Sequence, residues 1–394
     1  MAEHKNNAAT GRKTARQGRL SVWRVAGLTV VIVLFIVAAA VVLSGRGGGK
    51  KGNASSSDVL LQTPVYAISA ESVSDMQAFA GRLALLRSND ILYLDESGNE
   101  IAVNEHKYDN PVMLTAGKNL LLFDRGGDAL RIEKNADIFS EIKVTAPITC
   151  ADINAKGTYA YVLNADGGFQ SHLYVFSYKG TKLFEWGSAS DYVLGVTLSE
   201  NGRYIVVNEL RVDNAEHTSR VICFKLGRET PVFSADFAGV TVFETRFVSA
   251  KNVVAVSDRG VFRITGDDTY ETVREYAQNE MNGVNTGEDK INLLVLNLYG
   301  NEKNPEITLY DKRFKKSNAL TLNASVTSFC VSGYNAAVVS GDTVYALNAH
   351  AIVTGQTTLS ETCSRLAISG KRVFVLTSGG VCSFHVSAMT DQSA

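Results

Sequence analysis

Three polar segments carry the side chains from which a site would be built. Asn164–Ser171 contains Asp166-Gly167-Gly168. Asn208–Ser219 offers Glu209, Arg211, Asp213, Asn214, Glu216 and His217, and Asn297–Pro305 brings Tyr299, Asn301, Glu302 and Asn304. Carboxylate, guanidinium, amide and phenol groups in this mixture suit hydrogen bonding to a peptide or a glycan. Loops on a rigid scaffold are where such binding resides. Asp166, Glu209, Arg211, Asp213, Glu216, His217 and Tyr299 are therefore the candidate ligand-binding residues. Catalysis would ask for more: two carboxylates, or a carboxylate and a His, converging in one pocket.

Sharper chemical signatures are absent from the sequence. It holds no G-x-S-x-G elbow, H-E-x-x-H pair, P-loop or EF-hand loop, and Asp166-Gly167-Gly168 is too short for a calcium loop. The six histidines (His4, His106, His172, His217, His350, His385) are dispersed. The five cysteines (Cys150, Cys223, Cys330, Cys363, Cys382) show no C-x-x-C spacing and fall in apolar strand patterns, as small core residues do. An odd number without a framework argues against a disulfide-stapled domain. No catalytic residue, metal ligand or cofactor is assigned. Asn53-Ala54-Ser55 and Asn323-Ala324-Ser325 fit the glycosylation pattern, which matters only in a eukaryotic secretory route.

The formal net charge of −1 calls for no nucleic acid or acidic substrate. Its placement is uneven. Lys5, Arg12, Lys13, Arg16, Arg19 and Arg24 crowd the N-terminus, and Lys312, Arg313, Lys315 and Lys316 form a second basic cluster.

The elements that must position these residues are strands. Ile148–Asn154, Thr158–Asn164, His172–Tyr178 and Thr181–Trp186 read as four short strands with Gly, Asn and Asp punctuation. A four-stranded unit of about 40 residues that recurs marks a β-propeller blade. Eight second-strand/third-strand pairs follow this template, from Arg82–Arg87 with Ile91–Asp95 to Arg372–Thr377 with Val381–Val386. Small turns such as Ala80-Gly81, Ala116-Gly117, Asn201-Gly202, Ser332-Gly333 and Ser369-Gly370 precede many of the second strands. The sequence thus predicts an all-β propeller of about eight four-stranded blades, with seven as the fallback because Glu271–Asp289 is irregular. The last unit stops at its third strand. Ring closure predicts that Val59–Ile68 supplies the missing outer strand. A linear solenoid is the structural rival, though its coils would be shorter and more regular.

Before the repeats, residues 1–21 read as a basic cytoplasmic tail. Residues 22–44 hold the uncharged run Val25–Leu43, about 28 Å long as a helix and close to the hydrocarbon thickness of a bilayer. Lys and Arg are denser before this run than after it, which predicts a single-pass cell-membrane anchor with its N-terminus cytoplasmic. A cleaved signal peptide is the alternative, with Ala38-Ala39-Ala40 as the processing region. Residues 45–57 read as a flexible linker reaching on the order of 20 Å. Residues 58–394 then form an extracytoplasmic propeller.

In a propeller, the second-to-third-strand loops and the blade-to-blade connections share one face, and the remaining hairpins share the other. An outer strand at Val59–Ile68 would start at the hairpin face, turning that face and its Lys312, Arg313, Lys315, Lys316 cluster toward the membrane. The three candidate segments would look outward.

The basic tail, the span Val25–Leu43, the Gly/Ser tether and the weak repeats through His385 together resemble an uncharacterised family of single-pass, membrane-anchored β-propellers of Gram-positive bacteria. More distantly they resemble quinoprotein-like or WD40-like propellers used as envelope scaffolds. WD dipeptides and recurrent blade tryptophans are missing, and the resemblance transfers no functional residue. It implies a non-catalytic binding or scaffolding module whose partner is an envelope protein or a wall polysaccharide, with the bilayer engaged through Val25–Leu43. The alternative is a propeller enzyme, a glycan or peptide hydrolase or lyase, with an acidic site at the channel mouth. A signalling role for Met1–Ser21 rests only on a short tail.

Overall fold

The computed structural model describes residues 63–214, 216–249, 252–286 and 290–386. The tail, the span, the linker and Val59–Gln62 lie outside the described residues. Among those described, no helix is long and apolar enough to cross a membrane.

Eight antiparallel sheets occupy residues 73–105, 111–143, 148–188, 192–238, 242–275, 281–321, 326–358 and 365–385, which we number as blades 1 to 8. The first seven have four strands each, and blade 8 has three. The irregular stretch that left seven blades possible resolves into Thr269–Glu275, the fourth strand of blade 5, and Met281–Asn285, the first strand of blade 6. Eight blades therefore stand. The predicted turn glycines Gly81, Gly117, Gly202, Gly333 and Gly370 all have φ between 58° and 72°, the left-handed region that glycine reaches without a steric penalty.

The core is a series of seams between neighbouring blades. Second and third strands such as Leu83–Leu86, Ile91–Leu94 and Leu120–Phe123 are apolar on both faces, because each face packs against a different blade. One seam joins Val207, Ile222 and Phe224 of blade 4 to Val162, Leu173 and Val175 of blade 3.

A further regularity escapes the amino-acid pattern. The first strand carries a β-bulge near its start in blades 1, 3, 4, 5, 6 and 7, where the pairing skips Ser74, Thr149, Leu194, Phe243, Asn282 and Thr327. A bulge bends a strand and re-aims a side chain at a rim. Five of these residues are exposed and Thr149 is half-buried, at the loop-face end of the innermost strands.

The ring closes where the sequence predicts, though more sparingly. Tyr66 pairs with Val381 as an antiparallel bridge; Val381 N–H donates to Tyr66 O at 2.8 Å and Val65 N–H to Val381 O at 2.8 Å. Among the described residues 63–68 this is a bridge and not a continuous strand, and the rest of the expected outer strand, Val59–Gln62, lies outside the described residues. Pro64 has no N–H to extend a ladder and packs on the Gly379–Gly380 turn. A Cβ on Gly380 (φ +136°) would stand 2.2 Å from Tyr66 O and 3.1 Å from Pro64 Cβ. At this point the chain lies against a second-to-third-strand turn, on the loop side, where an antiparallel outer strand that starts at the hairpin face would end; its expected start at Val59 lies outside the described residues.

Candidate functional site

The segment 208–219 is not a loop. It completes the second and third strands of blade 4, Tyr204–Asp213 and Glu216–Lys225, which pair from Tyr204↔Lys225 out to Asp213↔Glu216. Leu210 and Val212 alternate with Glu209, Arg211 and Asp213, a strand pattern hidden by the density of charge. Asn214, at φ 49°, takes the left-handed position of the turn.

The long hairpin gathers an ionic network along one face. Arg211 meets Asp191, in the connection from blade 3, at 3.2 Å through Nε and 2.8 Å through the guanidinium end. Arg220 grips Asp236 in the same two-pronged way at 2.6 and 2.9 Å. Such forks fix orientation as well as charge. The Arg220 guanidinium holds the Asp236 carboxyl below its ordinary range. Burial works against ionisation of Asp191, but hydrogen bonds from Arg211 and Ser190 outweigh it and leave that carboxyl low as well. Glu209 behaves oppositely. It is 2 % exposed, its Oε1 has no hydrogen-bond partner, and burial raises its pKa despite a hydrogen bond with Ser188.

A second cluster sits on blade 3 beside the first. Asp166 Oδ2 accepts from Tyr174 OH at 2.8 Å and lies 3.0 Å from His172 Nδ1, while His172 Nε2 lies 3.0 Å from Glu185 Oε1. Tyr174, then Thr145 and His172, hold Asp166 below the usual carboxylate range against the effect of burial. Lys182 does the same for Glu185. The loop that aims Asp166 depends on Gly167 (φ 60°), where a Cβ would press the His172 ring at 3.2 Å. Ser171 joins the clusters: its Oγ donates to Asp191 O at 3.3 Å and accepts from Val193 N–H at 3.1 Å.

The structure thus brings Asp166, Glu209 and Arg211 to neighbouring positions on blades 3 and 4. Asp213 and Glu216 stand exposed at the hairpin tip, with His217 half-buried beneath them. Tyr299 is elsewhere, 95 % exposed on blade 6. Sequence reading missed His172, Tyr174, Glu185, Asp191, Arg220 and Asp236. The i, i+2 spacing of His172 and Tyr174 on one strand was the signal available for two of them. Cys363 also departs from expectation, lying between the strands Val353–Thr358 and Arg365–Ser369.

Chemically, the convergence of carboxylates with a His exists, but its groups are engaged with one another. Both His172 ring nitrogens are engaged, and each arginine of the blade 4 network is matched to a carboxylate. Among the described residues, no group of three or more His, Cys, Asp or Glu is placed to hold a metal ion. Beside this rigid frame, at the loop-face end of the channel, Tyr192, Leu194 and Phe243 of blades 4 and 5 are exposed.

The basic cluster is divided. Lys312 forms an ion pair with Glu200, Phe314 between the cations is buried in the seam of blades 5 and 6, and Arg313 and Lys315 are exposed. The Lys316 side chain lies outside the description.

Solved structures of similar fold are propellers. The WD40 domain of Sif2 aligns with a TM-score of 0.56 at 11 % identity, covering 82 % of this chain and 97 % of that one. Sqt1 of Saccharomyces cerevisiae aligns with a TM-score of 0.57 at 12 % identity, covering 82 % and 99 %. The dihydro-heme d1 dehydrogenase NirN aligns with a TM-score of 0.55 at 12 % identity, covering 79 % and 72 %. At these identities the likeness is one of fold alone. No curated protein matches the chain. Residues 62–383 match one family model across almost the whole propeller, and the chain belongs to that family of unknown function (DUF5711).

Proposed function

We propose that this protein is a non-catalytic binding module, an extracytoplasmic propeller held at the cell membrane by Val25–Leu43, whose partner is an envelope protein or a wall polymer. One observation carries the reading: Asp166 with His172 and Glu185, Asp191 with Arg211, and Arg220 with Asp236 are matched to one another, making a stiff frame beside exposed Tyr192, Leu194 and Phe243. A general base needs a free lone pair within reach of a substrate proton, and His172 offers none. Tyr and Phe beside Arg are the residue types in which interfaces are enriched, and Leu194 extends their apolar patch.

The test is capture of an envelope partner by the 59–394 fragment, repeated with Leu194→Asp and Phe243→Asp. Loss of capture with an unchanged melting temperature is expected. Capture indifferent to both substitutions sinks the assignment to this surface. Anchoring is tested separately by carbonate extraction of the full chain, where release into the soluble fraction removes the span.

Glu209 favours a second reading. Burial raises this carboxyl while nearby Asp191 is held low, and two carboxylates driven apart is how one site holds an acid and a base. In an enzyme acting on a glycan or peptide, Glu209→Gln would abolish turnover and spare binding. In a binding module it changes neither.

A further inference from the structure

The hairpin face carries a charge pattern unrelated to the Lys312–Lys316 cluster. The first-to-second-strand hairpins of five consecutive blades each place a cation around the channel: Lys371 on blade 8, Arg82 on blade 1, Lys118 on blade 2, Lys156 on blade 3 and Arg203 on blade 4. Four are exposed and Arg82 is half-buried. Among the described residues none of the five enters an ion pair. Lys156 is held in the arc by its neighbour, donating to Asn201 O of the blade 4 hairpin at 3.2 Å. Among the described residues of this inner row the acidic one, Glu200, is neutralised by Lys312. At the opposite ends of the same set of innermost strands acidic residues predominate: the blade-to-blade connections carry Glu71, Asp109, Glu280 and Glu361, with Lys107 beside Asp109 and Asp191 matched to Arg211. The inner row of turns is therefore cationic at its hairpin end over blades 8 to 4, with exposed Glu96, Asp137 and Glu229 confined to the outer hairpins.

We propose that this arc is a docking surface for an anionic lipid bilayer. Five like charges on successive turns of one face match a planar array of headgroups, whereas a small anion could meet only one or two of them. Each Lys or Arg near such a surface strengthens binding about fivefold and loses effect beyond a Debye length. The proposal draws on the anchoring reading in one respect: the linker read at residues 45–57 would hold the ring at high local concentration over the bilayer. The arc itself does not need the anchor, so the two are tested apart.

The propeller is a closed ring with its own seams, so the 59–394 fragment suffices. Its co-sedimentation is measured at low salt with vesicles of phosphatidylcholine alone and of phosphatidylcholine with phosphatidylglycerol. We expect binding only to the second. Lys118→Glu, Lys156→Glu and Lys371→Glu together should weaken it at least a hundredfold at an unchanged melting temperature. Arg313→Glu with Lys315→Glu, on the far side of the ring from the arc, should weaken it much less than the arc reversal does. Equal binding to both vesicles, indifference to the arc reversal, or retention on polyphosphate beads without vesicle binding would each overturn the proposal, the last in favour of a soluble polyanion. Failure of carbonate extraction to retain the full chain would remove the anchor and leave the vesicle result standing.

Discussion

Arg131 and Glu133 stand two residues apart on the third strand of blade 2 and form an ion pair at 2.6 Å with side chains only 1 % and 0 % exposed. Glu133 also accepts from Tyr93 OH and Asn104 Nδ2, each at 2.6 Å, and Arg131 donates to Glu105 O at 2.5 Å. The pair pins the seam between blades 1 and 2. Breaking a buried pair from one side leaves an uncompensated charge, so Glu133→Ala should cost about 3–5 kcal/mol. Tyr93→Phe removes one hydrogen bond to a charged group and should cost about 1.5–3 kcal/mol. Urea unfolding checks both. An alanine variant as stable as the parent would mean that the seam does not depend on the pair.

Glu244, on the first strand of blade 5, sets a pH dependence. Burial pushes its carboxyl up to about 7, Arg246 pulling the other way, and Thr286 donates a hydrogen bond to it. The folded state therefore holds its proton between the unfolded value, about 4.5, and about 7. In that window the native chain binds more protons than the unfolded one, so this group's contribution to stability falls as pH rises. Glu244→Gln should flatten the slope from pH 4.5 to 7 and stabilise the protein above pH 7. Unfolding midpoints across that range decide it; an unaltered slope in the variant refutes the assignment.

The thiols should be inert in the folded ring. Burial pushes Cys150 and Cys223 up to about 12 and Cys363 up to about 11, and the thiolate is the reactive form. Iodoacetamide at pH 7.5 is expected to label these positions only after denaturation. Native labelling of Cys150 or Cys223, read by mass spectrometry, would contradict it.

Closure of the ring hinges on Gly380. A side chain there would collide with Tyr66 O at 2.2 Å in a backbone conformation that L residues rarely adopt. Gly380→Ala should cost about 1–3 kcal/mol. Gly195→Ala, with open space around it, serves as the control. Equal melting temperatures for the two variants would show that the Tyr66 bridge does not hold the ring shut.

Much of this molecule was written in local pattern. Alternating apolar residues and turn glycines set eight units, because strand period and positive φ are properties of a few neighbouring residues, and the unpaired third strand of the last unit announced closure near Val59–Ile68. What remained was non-local. Asp191 meets Arg211, and Asp166 meets His172 and Glu185, only because adjacent strands and blades bring them together, a pairing no one-dimensional spacing encodes. Leu210 and Val212 turned an apparent loop into strands because cross-strand partners outweighed the local density of charge. The alternation of face along the chain fixed where each turn must lie; the closed ring alone decided that Lys371, Arg82, Lys118, Lys156 and Arg203 stand on one arc, since charges far apart in sequence become neighbours only when the last blade meets the first.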